Sequence, residues 1–270
     1  METFLAEITQ NVAGDRLQVD ALIPLGLDPH AFEPTPQDVA RISQSQVLVV
    51  NGGGFEEWLD KILENAGGQR AMIDSSAGLA PRSPQPGEPA LDETGGDPHF
   101  WLDPNNVIAY VENIRDGLSQ ADPQGKDVYA QNAAVYIEHL QELDAWISTQ
   151  VEQVPAARRL LVTNHESFGY FADRYGFTIV GAIVPSVSSS ASPSAQQLAG
   201  LVRHIQETGA PALFLETGSS TQLAEQVAAE TGARVVTGLL THSVTAPDGR
   251  APTYIEMMRY NVSAIVDALK

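Results

Sequence analysis

With 270 residues, the chain is long for one hydrophobic core and comfortable for two lobes of ordinary size. Its 15 Lys and Arg against 34 Asp and Glu leave a formal charge of −19, which repels phosphate backbones and anionic headgroups and argues against a nucleic-acid or membrane-surface partner. Cysteine is absent, so disulfides and thiolate metal ligands are excluded, and no apolar run approaches the roughly 20 residues of a membrane-spanning helix.

The first residues, Met1-Glu2-Thr3-Phe4-Leu5, lack a basic segment followed by an apolar one, so no export signal is read there. Phe4 to Val12 reads as helix and Leu17 to Pro24 as strand. Pro36 to Gln44 follows as helix, Val47 to Asn51 as strand, Phe55 to Asn65 as helix and Ala71 to Ile73 as a short strand. Gly52-Gly53-Gly54 lies between a strand and a helix but lacks the spacing and the Lys-Ser/Thr ending of phosphate-binding loops, so a turn or packing role is expected. Pro81 to Pro98 then breaks the pattern with five prolines, three glycines and four acidic residues, the composition of a surface loop.

Asn105 to Leu118 reads as helix. After Asp122-Pro123 the apolar residues Tyr129, Ala133, Tyr136, Leu140, Leu143, Ile147 and Val151 recur at steps of three and four, one stripe along one helix. From Pro123 to Gln153 that helix would be about 45 Å long at 1.5 Å per residue, enough to brace two lobes. A second alternating series follows: strands at Arg159–Thr163, Thr178–Ile183, Ala212–Glu216 and Val235–Leu240, helices at Ser167–Tyr175, Pro193–Thr208, Thr221–Thr231 and Tyr254–Leu269. Ser186 to Ser194 reads as a flexible serine-rich connection. The expected fold is α/β: two parallel-sheet lobes, residues 1–122 and 154–270, joined by one long helix over 123–153.

Four histidines, His30, His99, His165 and His242, sit in loops beside turn residues and carboxylates, and three of them follow strand-like runs. Ligands in open α/β sheets bind beyond the carboxyl ends of strands, so these loops would bring four imidazoles to one cleft as a zinc-like site. Asp28, Glu33, Asp97, Asp103 and Glu166 are close enough in sequence to orient the rings, although Asp28 and Asp97 each precede proline and suit a turn equally. His139 and His204 fall on helix surfaces and read as solvated. No two histidines lie within five residues, which excludes the His-Glu-x-x-His hydrolase pattern and zinc-finger spacings, and no G-x-S-x-G elbow is present.

The segments Leu25-Gly26-Leu27-Asp28-Pro29-His30-Ala31-Phe32-Glu33-Pro34, Asn51-Gly52-Gly53-Gly54-Phe55-Glu56, Asp97-Pro98-His99-Phe100-Trp101-Leu102-Asp103-Pro104, Thr163-Asn164-His165-Glu166-Ser167-Phe168-Gly169 and Thr253-Tyr254-Ile255-Glu256-Met257-Met258 resemble the zinc and manganese solute-binding proteins of bacterial ABC importers. The likeness runs in order over nearly the whole chain. It implies two α/β lobes joined by a long helix, with one metal ion held between them and delivered to a membrane permease by a monomeric, periplasmic or extracellular protein.

By resemblance His30, His99 and His165 carry over as ligands, and a histidine at the third position favours Zn2+ over Mn2+. The fourth family ligand is usually an aspartate about twelve residues before the Thr-Tyr pair, where this chain has His242. Asp248, in the same loop, reads as an exposed turn residue in Pro247-Asp248-Gly249. Two departures from the family pattern remain. The acidic loop carries no histidine, and a strand normally preceding the first helix is missing, as if the chain were trimmed together with its export signal and any membrane anchor. The protein is expected not to be an enzyme. A zinc hydrolase, with three histidines and Glu166 as base, is the alternative; an open site beside a cavity would favour it, and a closed ion without one would favour the importer. An adhesin-like or structural role is a third possibility that the residues neither support nor exclude.

Overall fold

The structure, a computed structural model, describes residues 1–56, 58–83 and 96–270; most of the proline-rich acidic segment lies outside these residues. Helix α1 (Thr3–Ala13) is followed by α2 (Pro36–Gln44), strand β1 (Val47–Val50), α3 (Leu59–Ala66), β2 (Ala71–Asp74) and α4 (Pro104–Ala121). Then come α5 (Lys126–Val151), β3 (Leu160–His165), α6 (Gly169–Tyr175), β4 (Thr178–Val184), α7 (Ala195–Thr208), β5 (Ala212–Glu216), α8 (Gln222–Thr231), β6 (Arg234–Leu239) and α9 (Tyr254–Leu269). Two parallel sheets result among the described residues, β1-β2 and β4-β3-β5-β6. The fold is two α/β lobes joined by one long helix.

Local chemistry explains where these helices start. Thr35, Ser194 and Thr253 each accept from the amide three residues on, while the side chain at that third position returns a bond to the cap residue. Such reciprocal caps satisfy two otherwise orphaned donors, and each cap contributes about 1 kcal/mol. Pro36 and Pro104 occupy first-turn positions, where a missing N–H costs nothing.

Helix α5 has 26 residues and so spans about 39 Å at 1.5 Å per residue. It is shorter than the sequence suggests because Pro123–Gly125 forms a separate 3-10 turn ahead of it. Its buried face is the seven-residue stripe from Tyr129 to Val151. That face packs on α1 and α4 on one side and on α9 on the other. One apolar core therefore runs continuously from Phe4 and Trp101 through Leu140 and Leu143 to Met257 and Leu269. Smaller cores lie beneath the helices of each sheet.

Two expected elements take a different form. Leu17 to Pro24 is not a strand: the amides of Leu22 and Ile23 both donate to the single carbonyl of Met1, and the segment joins no ladder. Its alternating apolar residues reflect burial of Leu22 and Ile23 in the first lobe's small core. The helix read from Phe55 starts only at Leu59. Gly52, Gly53 and Gly54 have φ of 81°, 62° and 84°, a left-handed run open only to glycine without strain, and Phe55 N–H closes that turn on the Gly52 carbonyl at 3.2 Å. A Cβ on Gly53 would meet the Phe100 ring at 2.6 Å, so the turn also needs the missing side chain for space.

The carboxyl of Glu56 locks this turn, accepting from the amides of Asn51 (2.6 Å) and Gly52 (3.1 Å). Burial, reinforced by the nearby Glu2 carboxyl, pushes Glu56 up to about 8. An acid raised in the folded state keeps its proton while the unfolded chain releases it, so stability falls as pH rises from the ordinary carboxylate range through the folded value. Glu56→Gln should flatten the decline of unfolding free energy between about pH 5 and 8, measured by denaturant titration at stepped pH. An unaltered slope in the variant would contradict this origin.

Candidate metal centre

The four histidines named from sequence meet in the cleft between the lobes: one ring nitrogen from each of His30, His99, His165 and His242 lies within 4.8 Å of all the others. His139 is exposed and His204 half-exposed, on helices α5 and α7 away from the group.

Each member is delivered by a different local device. The Asp28 carboxylate caps the 3-10 turn Pro29–Ala31 by accepting the His30 amide at 3.0 Å. The Asp97 carboxylate accepts both the amide (2.9 Å) and Nδ1 (2.7 Å) of His99, and Asn51 holds the intervening Pro98 carbonyl at 3.0 Å. His165 is the last residue of β3, a strand buried over most of its length. His242 lies three residues beyond β6, in a loop clamped at its base by Asn261, whose amide group bonds both the N–H and the carbonyl of Leu240 at 2.8 and 2.7 Å. Trp101 Nε1 donates to the neighbouring Thr241 carbonyl at 2.7 Å, and the Gly26 amide donates to Ser243 Oγ at 2.9 Å, so the first lobe holds the loop that carries the second lobe's histidine.

The cluster is floored by a carboxylate that sequence reading missed. Glu216, the last residue of β5, places Oε1 2.7 Å from His165 Nδ1 and Oε2 3.4 Å from His242 Nδ1. Asp97 does the same for His99. The Asp97 bond assigns the His99 Nδ1 proton, His165 Nδ1 meets Glu216 as a close charge pair and His242 Nδ1 also bonds Thr241 Oγ1 at 3.1 Å; with Nδ1 protonated in each ring, the Nε2 lone pairs point inward. The Nε2 atoms of His30 and His165 stand 3.4 and 3.2 Å from that of His99, and Nε2 of His242 is buried without a hydrogen-bond partner. Four nitrogens about 2.05 Å from a tetrahedral ion would lie about 3.3 Å apart, close to the two spacings about His99, while the whole group falls within 4.8 Å.

The electrostatics favour a cation at the centre. Burial and the neighbouring imidazoles push His30 down to about 2, and His99 also falls well below its ordinary value. Both rings therefore stay neutral and free to ligate. Burial alone would lower His242, but the hydrogen bond and charge of Glu216 turn that shift upward. Burial opposes ionising Glu216, yet His165 and His242 outweigh it and hold the carboxylate well below its usual range. Burial raises Asp97 to about 7, and a divalent ion one imidazole away would draw that group back toward its ionised form.

The other acids expected to orient rings do different work. Asp28 accepts a hydrogen bond from Ser189 across the cleft in addition to its cap. Asp103 caps α4 through the Asn105 amide at 2.8 Å, and Glu33 is exposed. Glu166 donates its amide to the Ser186 carbonyl and lies close enough to Asp97 to raise that carboxyl. Asp248 is exposed in a turn. An open cavity of about 660 Å³ adjoins the cluster, lined by Leu25, Asp28, Asn164, Ser189, Glu216 and His242 among others, so the expectation of a closed ion with no cavity beside it is not met. The cavity is bounded by residues of both lobes, as an interlobe crevice must be when the binding group sits at its base.

Fold and centre together define a two-lobed α/β metal-binding protein whose group of ring nitrogens is assembled between lobes. The zinc-uptake complex component A periplasmic family (ZnuA) matches residues 2–268. The manganese-binding lipoprotein MntA of Halalkalibacterium halodurans is 35% identical over 268 residues, covering 99% of this chain and 86% of that protein. Among solved structures, the manganese-bound periplasmic metal-binding protein from Candidatus Liberibacter asiaticus superposes with a TM-score of 0.86 at 29% identity, covering 99% of this chain and 97% of the other. The periplasmic zinc-binding protein TroA from Treponema pallidum gives 0.87 at 25%, covering 99% and 96%. The chain belongs to this family: it is the extracytoplasmic metal-binding component of an ABC importer, not an enzyme, and the hydrolase alternative falls. Among the described residues no helix is long and apolar enough to cross a membrane.

Three substitutions test the centre. Glu216→Gln keeps the shape but loses the charge that orients two imidazoles, and should weaken metal binding by about 10–100-fold in calorimetric titration; a change below about threefold would deny Glu216 that role. His242→Ala should weaken binding by more than about tenfold while Asp248→Ala leaves it unchanged. The reverse ranking would identify Asp248 as the fourth ligand.

Proposed function

We propose that the protein captures Zn2+ outside the cytoplasm, through His30, His99, His165 and His242, and hands it to the membrane permease of an ABC importer. The observation that carries this reading is the composition of the donor set: four ring nitrogens and no carboxylate oxygen among the atoms that converge. The names of the relatives point to manganese as well as zinc, so the donors must decide between them. Manganese favours carboxylate and water oxygen in six-coordinate sites, whereas imidazole nitrogen suits zinc, which also stands above manganese in intrinsic affinity for such ligands.

Two ligands come from residues 1–122 and two from 154–270, with the helix over 123–153 between them; this division makes the ion a clasp between lobes. We take the protein to act as a monomer, since the site is complete within one chain. The acidic surface raises the local concentration of cations near the crevice. The cavity beside Glu216 and His242 gives the ion its path from solvent.

In a direct competition titration, zinc should displace manganese, with zinc tighter by at least about a hundredfold for an all-nitrogen site. Equal affinities, or tighter manganese, would overturn the zinc assignment.

A further inference from the structure

We propose that Phe55 sets the coordination number of the bound ion by closing one face of the four-imidazole group, and so acts as a residue that selects against six-coordinate metals. This deepens the reading above, because it takes the four histidines as the ligands.

A tetrahedral ion has four faces, each spanned by three ligands, and any fifth or sixth ligand must enter through one of them. The Phe55 ring lies against the three imidazoles that span one such face. Its centroid is 4.9 Å from that of His30 and 5.9 Å from those of His99 and His242; it stands edge-on to the first two rings and nearly parallel, at 17°, to the third. Trp101 backs it, with its centroid 4.9 Å from Phe55 and 5.2 and 5.8 Å from His99 and His242. Neither ring offers a donor atom to the ion, since the one polar group, Trp101 Nε1–H, is engaged by the Thr241 carbonyl. Phe55 is only 3% exposed, so the edge of its ring is closed to bulk solvent.

The cavity does not undo this closure. Of the four imidazoles only His242 lines it, and neither Phe55 nor Trp101 does. Solvent and cluster therefore meet on the Glu216 side, with the Phe55 face turned away. The Gly52–Gly54 turn, read from sequence only as a packing feature, acquires a purpose here. Its three left-handed residues, and the Glu56 carboxyl that ties Asn51 and Gly52, fix the chain where it releases Phe55 into the cluster.

A metal such as Mn2+ that prefers six donors must add two waters to four nitrogens; solvent reaches the group from the Glu216 side, but on the opposite face the Phe55 ring occupies the space a water would need. Truncating the ring opens room for more than one water, each with a share of liquid volume of about 30 Å³, against a polar ion.

The test uses Co2+ as an optical probe, because its visible absorption is intense when four-coordinate and weak when six-coordinate, together with zinc–manganese competition. The parent protein should give the intense spectrum. Phe55→Leu, which keeps most of the bulk, should retain it. Phe55→Ala should lose most of the intensity, and its zinc-to-manganese affinity ratio should fall by about tenfold or more as a six-coordinate state becomes accessible. If Phe55→Ala does not fold, Phe55→Val takes its place with the same direction expected. An intense spectrum and an unchanged ratio in the truncated variant would overturn the proposal while leaving the four-histidine reading intact. A weak spectrum in the parent protein would likewise overturn the proposal, since the ring would not be excluding the added ligands, whereas a spectrum that survives His30→Ala and His99→Ala together would overturn the ligand assignment on which the proposal rests.

Discussion

Four imidazole nitrogens gathered within 4.8 Å of one another, with His30 and His165 only 3.4 and 3.2 Å from His99, repel unless something positive stands between them. Much of the architecture around the cleft exists to hold that otherwise unfavourable arrangement. Asp97 and Glu216 take the Nδ1 side of three rings and turn the lone pairs inward. Burial keeps His30 and His99 neutral. Because the two carboxylates stand one ring away from the ion rather than on it, the negative charge that balances a divalent cation comes from behind the ligands. An ion at the centre would then meet only nitrogen, and that is the physical basis of the proposed preference for zinc.

The same constraint shapes the lobes. Two of the rings come from each, so the cluster can exist only when the lobes are correctly spaced, and α5 sets that spacing. Its buried stripe joins α1, α4 and α9 in one core, which leaves little freedom for wide hinge motion through that region. Contacts at the rim of the crevice are of another kind. Asp28 to Ser189 and Gly26 to Ser243 are single hydrogen bonds between loops, each with a modest net contribution of roughly 1 kcal/mol. The loop carrying His242 has further ties to the first lobe, from Trp101 Nε1 to the Thr241 carbonyl and between Thr3 Oγ1 and both Ser243 and Val244, so the Asp28–Ser189 contact is the lightest at the rim.

Much of this was legible in the sequence wherever one residue type carried a strong local rule. The long helix followed from a single apolar stripe, and α2 and α9 from their caps at Thr35 and Thr253. The four histidines were legible because each sat beside turn-forming residues rather than on a helical stripe. Other features depended on tertiary contacts that no local rule reveals. Leu17 to Pro24 alternates like a strand, yet the amides of Leu22 and Ile23 go to the single carbonyl of Met1 and that of Val19 to the Gln10 side chain. Phe55 reads as the start of a helix, and only the fold shows that the turn before it aims the ring at the imidazoles. Glu216 escaped notice because a carboxylate closing an otherwise apolar strand resembles ordinary strand termination; its burial, at 7% exposed, was the missing sign that it had a partner.

The proposed function stands on one zinc ion bound by four imidazoles drawn from both lobes. X-ray absorption at the zinc edge of the loaded protein reads the ligand shell directly. Four nitrogen neighbours at about 2.0–2.1 Å are expected, with the outer-shell scattering of four imidazole rings. A shell containing carboxylate oxygen, or scattering from only two or three rings, would contradict it.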